Sequence, residues 1–250
     1  MTKLARIALP LTLAAALALP AAAEPLADLR AALSRLSATQ PIRATYELQR
    51  SVNNEGKFGN DKFSGKVTVE VEADANGFRI LFPRTLLDQI AREQTAESKN
   101  PKQTTPTVSA VQELDPVETS QALDFAPSLL RQIEGAKVVS DGAGTWQGKP
   151  VRVLILRIAD EPHDGAGKVT VLENKMTLWL GTDMVPLAVE HIGAGKFSFL
   201  VFKGEARQKK SWHLSRVADR LVPHRHESTE TSSGMGQKGN ESVVATVKVH

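Results

Sequence analysis

Histidine residues give this chain its one spacing of metal-ligand type. His224 and His226 are separated by a single residue, and His213 lies on the preceding predicted strand. Side chains at positions i and i+2 of a strand point to the same side of a sheet, and neutral imidazoles are common metal ligands. The chain has no Cys, and no fixed carboxylate completes the set of ligands. We therefore interpret the pair as a solvated strand face beside Pro223 and Glu227, and we predict no metal and no cofactor.

The residue patterns of known catalytic sites are missing from the sequence. Ser and Asp are numerous, but no G-x-S-x-G or comparable nucleophile motif is present. The glycine-rich stretch Asp141–Gly148 has its third glycine one residue too late for the dinucleotide motif G-x-G-x-x-G, and no helical pattern follows it. A hairpin connection explains this stretch better. We therefore predict that the protein is not an enzyme.

Charged residues give little indication of a polyanionic partner. Arg207, Lys209 and Lys210 form a basic run that could meet anionic lipid headgroups or an acidic partner, but a solvated turn between strands is the interpretation that such runs favour. The chain has 31 Lys and Arg against 28 Asp and Glu, and two of the basic residues, Lys3 and Arg6, lie in the first 23. The remainder is nearly neutral, so we expect no attraction for nucleic acid.

The first residues have the pattern of a signal peptide. A charged start is followed by the apolar run Ile7–Leu19 and by the small residues of Pro20–Ala23. A membrane anchor is the alternative, but the apolar run is too short to span a bilayer comfortably. No Cys follows the run, which excludes a bacterial lipoprotein anchor. We predict a signal peptide over residues 1–23, cleavage near Ala23 and a periplasmic mature protein that begins at Glu24.

The N-terminal half of the mature chain alternates between strand and helix patterns. Leucines at helical spacing predict a short helix within Glu24–Ser37, and alternating apolar residues predict three strands within Ile42–Phe82. A helix around Leu86–Ala91 is expected to give way to a mobile polar insertion at Glu93–Val108, which has few large apolar residues. Asp115 and the proline after it predict the start of another helical stretch, bent or split at Pro127.

A meander of short strands is predicted at Lys175–Phe202, the centre of the C-terminal half. Gly181–Asp183 and Gly193–Gly195 are the expected turns. The run Phe197–Phe202 is apolar at both parities, so we expect both of its faces to be covered. With further strands up to the C-terminus, the count is roughly nine to eleven strands and two or three helices. This pattern predicts one α+β domain over residues 24–250, a large antiparallel sheet with helices on one face.

One hairpin carries a resemblance to a known family. The segment from Leu178-Trp179-Leu180 through Val185–Glu190 is similar to a hairpin that recurs in periplasmic lipoprotein carriers of the LolA/LolB type and in related periplasmic sigma-factor regulators. The order of signal peptide, leucine-rich helix, strands, helical insertion and further strands also resembles that family. The resemblance implies an incomplete β-barrel that is covered by helices and holds acyl chains on a concave apolar face. It transfers no individual binding residue, since no match to the family's lid contacts is found.

The apolar faces of the strands are therefore the candidate ligand site. The residues that we expect to line one apolar concave surface are Tyr46, Val69, Ile80, Leu178, Phe199 and Val247. The alternative is an ordinary core that the helices fill. On the first interpretation the protein is a carrier or chaperone for a lipid, an acyl chain or a lipoprotein. A periplasmic sensor or interaction module on the same fold, whose partner would be an envelope membrane protein, is the second candidate function, and an exported enzyme is the third.

Overall fold

The computed structural model describes residues 24–57, 59–160, 168–199 and 202–250, apart from the side chains of residues 199 and 202. The predicted signal peptide, residues 1–23, lies outside this part of the chain. The helices of the described part are α1 (Pro25–Ser34), α2 (Arg84–Lys99), α3 (Pro106–Gln112), α4 (Pro116–Ser120) and α5 (Ala126–Gln132). None of them is long and apolar enough to cross a membrane.

Ten strands form one open antiparallel sheet in the described part of the chain. They are β1 (Ile42–Gly56), β2 (Asp61–Asp74), β3 (Gly77–Leu81), β4 (Lys137–Trp146), β5 (Lys149–Arg157), β6 (Lys168–Leu180), β7 (Pro186–Phe199), β8 (Phe202–Val217), β9 (Arg220–Gly234) and β10 (Gln237–Val249). Their order is β3-β2-β1-β10-β9-β8-β7-β6-β5-β4. The last strand thus pairs with the first and joins the N-terminal hairpins to the C-terminal meander. The predicted class, a curved α+β half-barrel, is confirmed.

Local sequence explains where several elements begin and end. Asp115 caps α4, because its carboxylate accepts hydrogen bonds from the backbone N–H groups of Val117 and Glu118 at 2.8 and 2.9 Å. The turn between β4 and β5 has positive φ at Gln147 (49°) and Gly148 (76°), as a two-residue type I′ hairpin requires. The predicted hairpin in this glycine-rich stretch is therefore confirmed.

The predicted polar loop is partly helical. Helix α2 continues to Lys99 and α3 begins at Pro106, so only the intervening residues lie outside a helix. This segment has few apolar residues because α2 is an exposed helix that buries none of its residues, and not because the segment is a loop. Its Glu93 carboxylate accepts hydrogen bonds from the backbone N–H groups of Thr107 and Val108 and so caps α3 from outside. The mobility of residues 93–108 stays a prediction.

The central meander differs from its prediction in one turn. Gly193–Gly195 lies inside β7, which continues to Phe199 and pairs that residue with Phe202 of β8. A register shift between Val171 and Glu173 on the facing strand β6 absorbs the irregularity that glycines indicated. The expectation that both faces of Phe197–Phe202 are covered is wrong at Phe197, which is 44% exposed.

Two hydrophobic clusters fill the space between the helices and the sheet. We call the helix-covered face of the sheet the inner face and its opposite the outer face. The first cluster packs α1 and α5 on the inner face of β5 to β9. The second joins α3 and the chain around Leu123 to β1, β2 and β10. Between the two clusters, the backbone N–H of Phe125 donates a hydrogen bond to the Leu221 carbonyl at 2.8 Å. This bond anchors the helical layer to the sheet.

Candidate functional site

A cleft of about 530 Å³ lies where the two hydrophobic clusters meet. Its floor is the inner face of β1, β10, β9 and β8, and its roof is the chain from Glu118 to Gln132, which includes α4 and α5. Leu48, Ala245 and Val247 contribute apolar surface from the floor, and Phe125 contributes it from the roof. A volume of this size is within the usual range for small-molecule sites, about 300–1,000 Å³.

One row of the inner face crosses eight strands and contains a single polar residue. Strand register places these residues side by side: Val67, Leu48, Ala245, His226, Trp212, Val189, Leu178 and Leu154. All except His226 are buried hydrophobic residues. An imidazole in the middle of an apolar row is costly to bury, so its position calls for a physical explanation.

The surroundings of His226 keep its ring neutral and fixed. Its imidazole stacks on the Trp212 ring, with centroids 5.0 Å apart and planes 6° apart. Burial lowers the pKa of His226 to about 4, and the positive charge of Lys210 acts in the same direction, against a smaller opposing effect of Glu227. Its Nε2 atom is buried and has no hydrogen-bond partner among the described residues. The ring therefore holds a buried and unsatisfied polar atom at neutral pH.

The interpretation of His224 and His226 as one solvated face is wrong. His226 stacks on Trp212, whereas His224 lies beside His213, and these two partners are consecutive residues that point to opposite faces of β8. The cause is a register shift between β8 and β9 at His213 and Leu214, which adds a residue to β9 and reverses the side of one histidine. Within the described residues, no group of three or more potential ligands could hold a metal ion.

A second row of the inner face carries nitrogen groups beside His226. Lys210 pairs across strands with His191 on one side and with Ser228 on the other, and all three line the cleft. His191 Nε2 lies 2.8 Å from Asn174 Oδ1. Since the Asn174 amide nitrogen donates to the Ala159 carbonyl and the Asp160 carboxylate, its oxygen must face the ring, and His191 Nε2–H is the donor. Burial lowers the pKa of His191.

The predicted solvated turn at the basic run is wrong, because Arg207, Lys209 and Lys210 all lie within β8. Lys209 and Arg207 are on the outer face, where they pair with Glu190 at 2.8 Å and Glu173 at 3.1 Å. Lys210 points to the inner face. The pleat of the strand therefore separates the run into two exposed ion pairs and one cation in the cleft.

Four carboxylates also line the cleft. They belong to Glu113, Glu118, Glu230 and Glu241. Arg50 lies between two of them, with Nε 2.7 Å from Glu241 and 3.3 Å from Glu113. Burial raises the pKa of Glu113. Burial also raises the pKa of Tyr46 to about 12, with smaller contributions from the charges of Glu118 and Glu113. The Tyr46 hydroxyl therefore stays protonated at neutral pH.

The structure brings together only some of the residues predicted to bind a ligand. Tyr46 and Val247 pair directly across β1 and β10, and both line the cleft. Val69 and Leu178 lie in the packed clusters, 1% and 0% exposed. Ile80 packs at the edge of the second cluster, and the side chain of Phe199 lies outside the described part. The ligand-binding role of these six residues stays a prediction.

Sequence reasoning missed the aromatic wall of the cleft. Trp212 stacks on His226 and also packs against Phe125, whose ring is tilted by 32° with its centroid 5.1 Å from that of Trp212. The inward position of Trp212 was available from its alternation with Leu214. The position of Phe125 was not, because it depends on how the roof crosses the sheet. The finished cleft combines an apolar floor with polar groups, which suits a ligand that has an apolar body and a polar group.

Comparisons with known proteins assign no family to the chain. No protein-family model matches it, and no curated protein matches it. Among solved structures, the crystal structure of MucB in complex with MucA(peri) is similar over 88% of this chain and 93% of that chain, at 10% sequence identity and a TM-score of 0.24. A likeness at that TM-score carries no argument about fold or function. Membership of the LolA/LolB-type family therefore stays a prediction from the sequence.

Proposed function

We propose that this chain is an exported, periplasmic binding protein that holds a lipid, an acyl chain or the acyl group of a lipoprotein in the cleft. It acts as a carrier or chaperone and not as an enzyme. The observation that carries the proposal is the cleft of about 530 Å³ whose apolar floor and aromatic wall are bordered by polar side chains. Sites for small ligands are concave and combine apolar lining with convergent polar groups, and the polar groups are numerous in this cleft.

The size of the apolar contribution sets what the polar groups must add. Burial of about ten methylene groups contributes about 8 kcal/mol at 0.8 kcal/mol each. Association costs at least about 4 kcal/mol, and micromolar binding requires a net value of about 8 kcal/mol. Apolar burial alone therefore gives weak binding, and hydrogen bonds or charge interactions with the polar groups of the cleft must supply the difference.

Filling the cleft tests the proposal. Val243 is half-buried and lines the cleft, while Val244 is its neighbour on the outer face of β10. We expect Val243→Phe to weaken binding of the neutral fluorescent probe N-phenylnaphthylamine at least about tenfold, because the larger ring occupies ligand space. Val244→Phe is the matched control and should bind as the wild type does. Circular dichroism confirms folding. The proposal fails if folded wild-type protein takes up neither this probe nor an acylated peptide at micromolar concentrations.

A second candidate function is that of a sensor or protein-interaction module. Its support is an apolar patch of Val169, Val171 and Phe197 on β6 and β7, where each residue is at least 43% exposed. Phe197 lies over Gly204 of the neighbouring strand, which has no side chain to compete for that space. Exposed apolar surface of this kind is typical of contact sites. Copurification of an envelope membrane protein that is lost in Phe197→Ser would favour this function over a carrier.

Export is tested separately. The intact mass of protein recovered from the periplasm should correspond to a chain that begins at or near Glu24. Retention of Lys3 and Arg6 in the recovered protein would contradict cleavage and the periplasmic location that depends on it.

A further inference from the structure

We propose that Lys210 and His226 form a subsite for an oxyanion, a carboxylate or phosphate group, carried by the ligand of the cleft. The inference rests on the proposed function, since it names the polar part of the ligand that the cleft would bind. Both side chains line the cleft and lie on adjacent central strands, β8 and β9.

His226 has an unsatisfied nitrogen. Nε2 is buried and has no partner among the described residues, and buried polar atoms in native proteins are nearly always hydrogen-bonded. Stacking on Trp212 fixes the plane of the ring, so the imidazole cannot easily turn toward another partner. The imidazole lines the cleft, and a neutral imidazole carries one N–H, which is a ready donor to an oxyanion.

A positive charge lies beside that nitrogen. Lys210 is two residues before Trp212, the direct cross-strand partner of His226, so Lys210 and His226 are diagonal neighbours on the inner face. Long side chains at diagonal positions are within reach of one another. No ion pair joins Lys210 to a carboxylate in the part of the chain that the structure describes, whereas Lys209 and Arg207 on the outer face are both paired. Ser228, directly opposite Lys210, adds a hydroxyl donor.

The four carboxylates of the cleft could favour a cationic ligand instead. Their exposure and their pairing with other side chains weaken that attraction. Glu118 and Glu230 are exposed, so solvent and salt screen their charge. Glu230 is also a diagonal neighbour of Lys210, but its carboxylate accepts a hydrogen bond from the Gln208 amide. Glu113 and Glu241 share Arg50. The less exposed floor around Lys210 and His226 is therefore the place where an unscreened charge interaction with a ligand is strongest.

Four ligands with the same alkyl chain separate the apolar part from the charge. Decanoate, decyl phosphate, decanol and decylamine are titrated against the full mature chain at pH 7.5, with displacement of N-phenylnaphthylamine as the readout. We expect each anion to bind at least about tenfold more tightly than decanol, since hydrogen bonds to charged groups are worth that much. A preference between decanoate and decyl phosphate identifies which oxyanion the subsite fits.

Variants assign the effect to the two residues. Lys210→Met and His226→Phe should each remove most of the preference for the anions, measured as the affinity for each anion relative to that for decanol in the same variant. Lys209→Met, on the outer face of the same strand, should keep the wild-type preference. Circular dichroism and urea unfolding confirm folding, and Lys210→Met alone suffices if His226→Phe does not fold.

The outcomes separate the subsite from the cleft. Equal binding of all four ligands, or tighter binding of decylamine, overturns the oxyanion subsite and leaves the proposed function standing. Unchanged anion preference in folded Lys210→Met does the same. If none of the four ligands displaces bound probe, both the subsite and the amphiphile-binding function of the cleft are overturned.

Discussion

Protonation of His226 should destabilise the protein between neutral and mildly acidic pH. In the folded chain the pKa of this histidine is lowered from 6.5 to about 4, first by burial and then by the charge of Lys210. The unfolded chain therefore binds a proton as pH falls through 6.5, and the folded chain does not until about pH 4. The unfolding free energy contributed by neutral His226 is complete above pH 6.5 and is lost on the way down to pH 4.

The pKa difference gives the size of the effect. A decrease from 6.5 to about 4 corresponds to about 3 kcal/mol of unfolding free energy, lost over that interval. This is a large part of the stability of an ordinary domain, about 5–15 kcal/mol. His226→Phe should abolish this loss, because phenylalanine can also stack on Trp212 and cannot take a proton.

The assay is urea unfolding followed by tryptophan fluorescence at several values of pH from 7.5 to 4. We expect the wild type to lose about 3 kcal/mol more than His226→Phe over this range. Other titrating groups, such as His191 and Asp219, are present in both proteins and cancel in the difference. Parallel pH dependence of wild type and His226→Phe would refute the reasoning.

Three further predictions concern stability and mobility. In a urea titration, Leu178→Ala, at a fully buried position, should lower the unfolding free energy by about 2–5 kcal/mol. Phe197→Ala, at a position that is 44% exposed, should lower it by about 1 kcal/mol or less. Equal losses would contradict the assigned core. Arg220 is 6% exposed and donates three hydrogen bonds to carbonyls between α1 and β1. Arg220→Met should therefore lower the unfolding free energy by about 2 kcal/mol and speed hydrogen exchange at residues 37–40. Unchanged exchange there would count against this role. Trypsin should cut first near residues 99–105, between two helices with few buried side chains, and cleavage within β6 to β9 at the same rate would show that the segment is as protected as the sheet.

Much of the fold could be predicted from the sequence because its signals are local. Alternation of apolar residues marked most of the strands, and Asp115 with the proline after it marked a helix start that the structure confirms. Polarity is a misleading signal at α2, since a helix that buries no residue resembles a loop in composition. Glycine is a misleading signal at Gly193–Gly195, where the residues lie within a strand opposite an irregularity in β6.

The site could not be predicted because it depends on register between distant strands. Tyr46 and Val247 lie at opposite ends of the chain, and their pairing requires β10 to return beside β1. The inward position of His226 depends on a single extra residue in β9, which no periodicity argument detects. The roof over the cleft also depends on the packing of α4 and α5, whose apolar pattern specifies a buried face but not its partner.

Photo-crosslinking with a fatty acid that carries a terminal diazirine tests the central claim most directly. The folded mature protein is illuminated with bound ligand, digested and mapped by mass spectrometry. We expect labels on the apolar lining of the cleft, at Phe125, Trp212 or Val247, and we expect excess decanoate to suppress them. Labelling confined to the outer face or to the exposed patch around Phe197, with cleft peptides unmodified, would contradict the claim that the cleft is the ligand site.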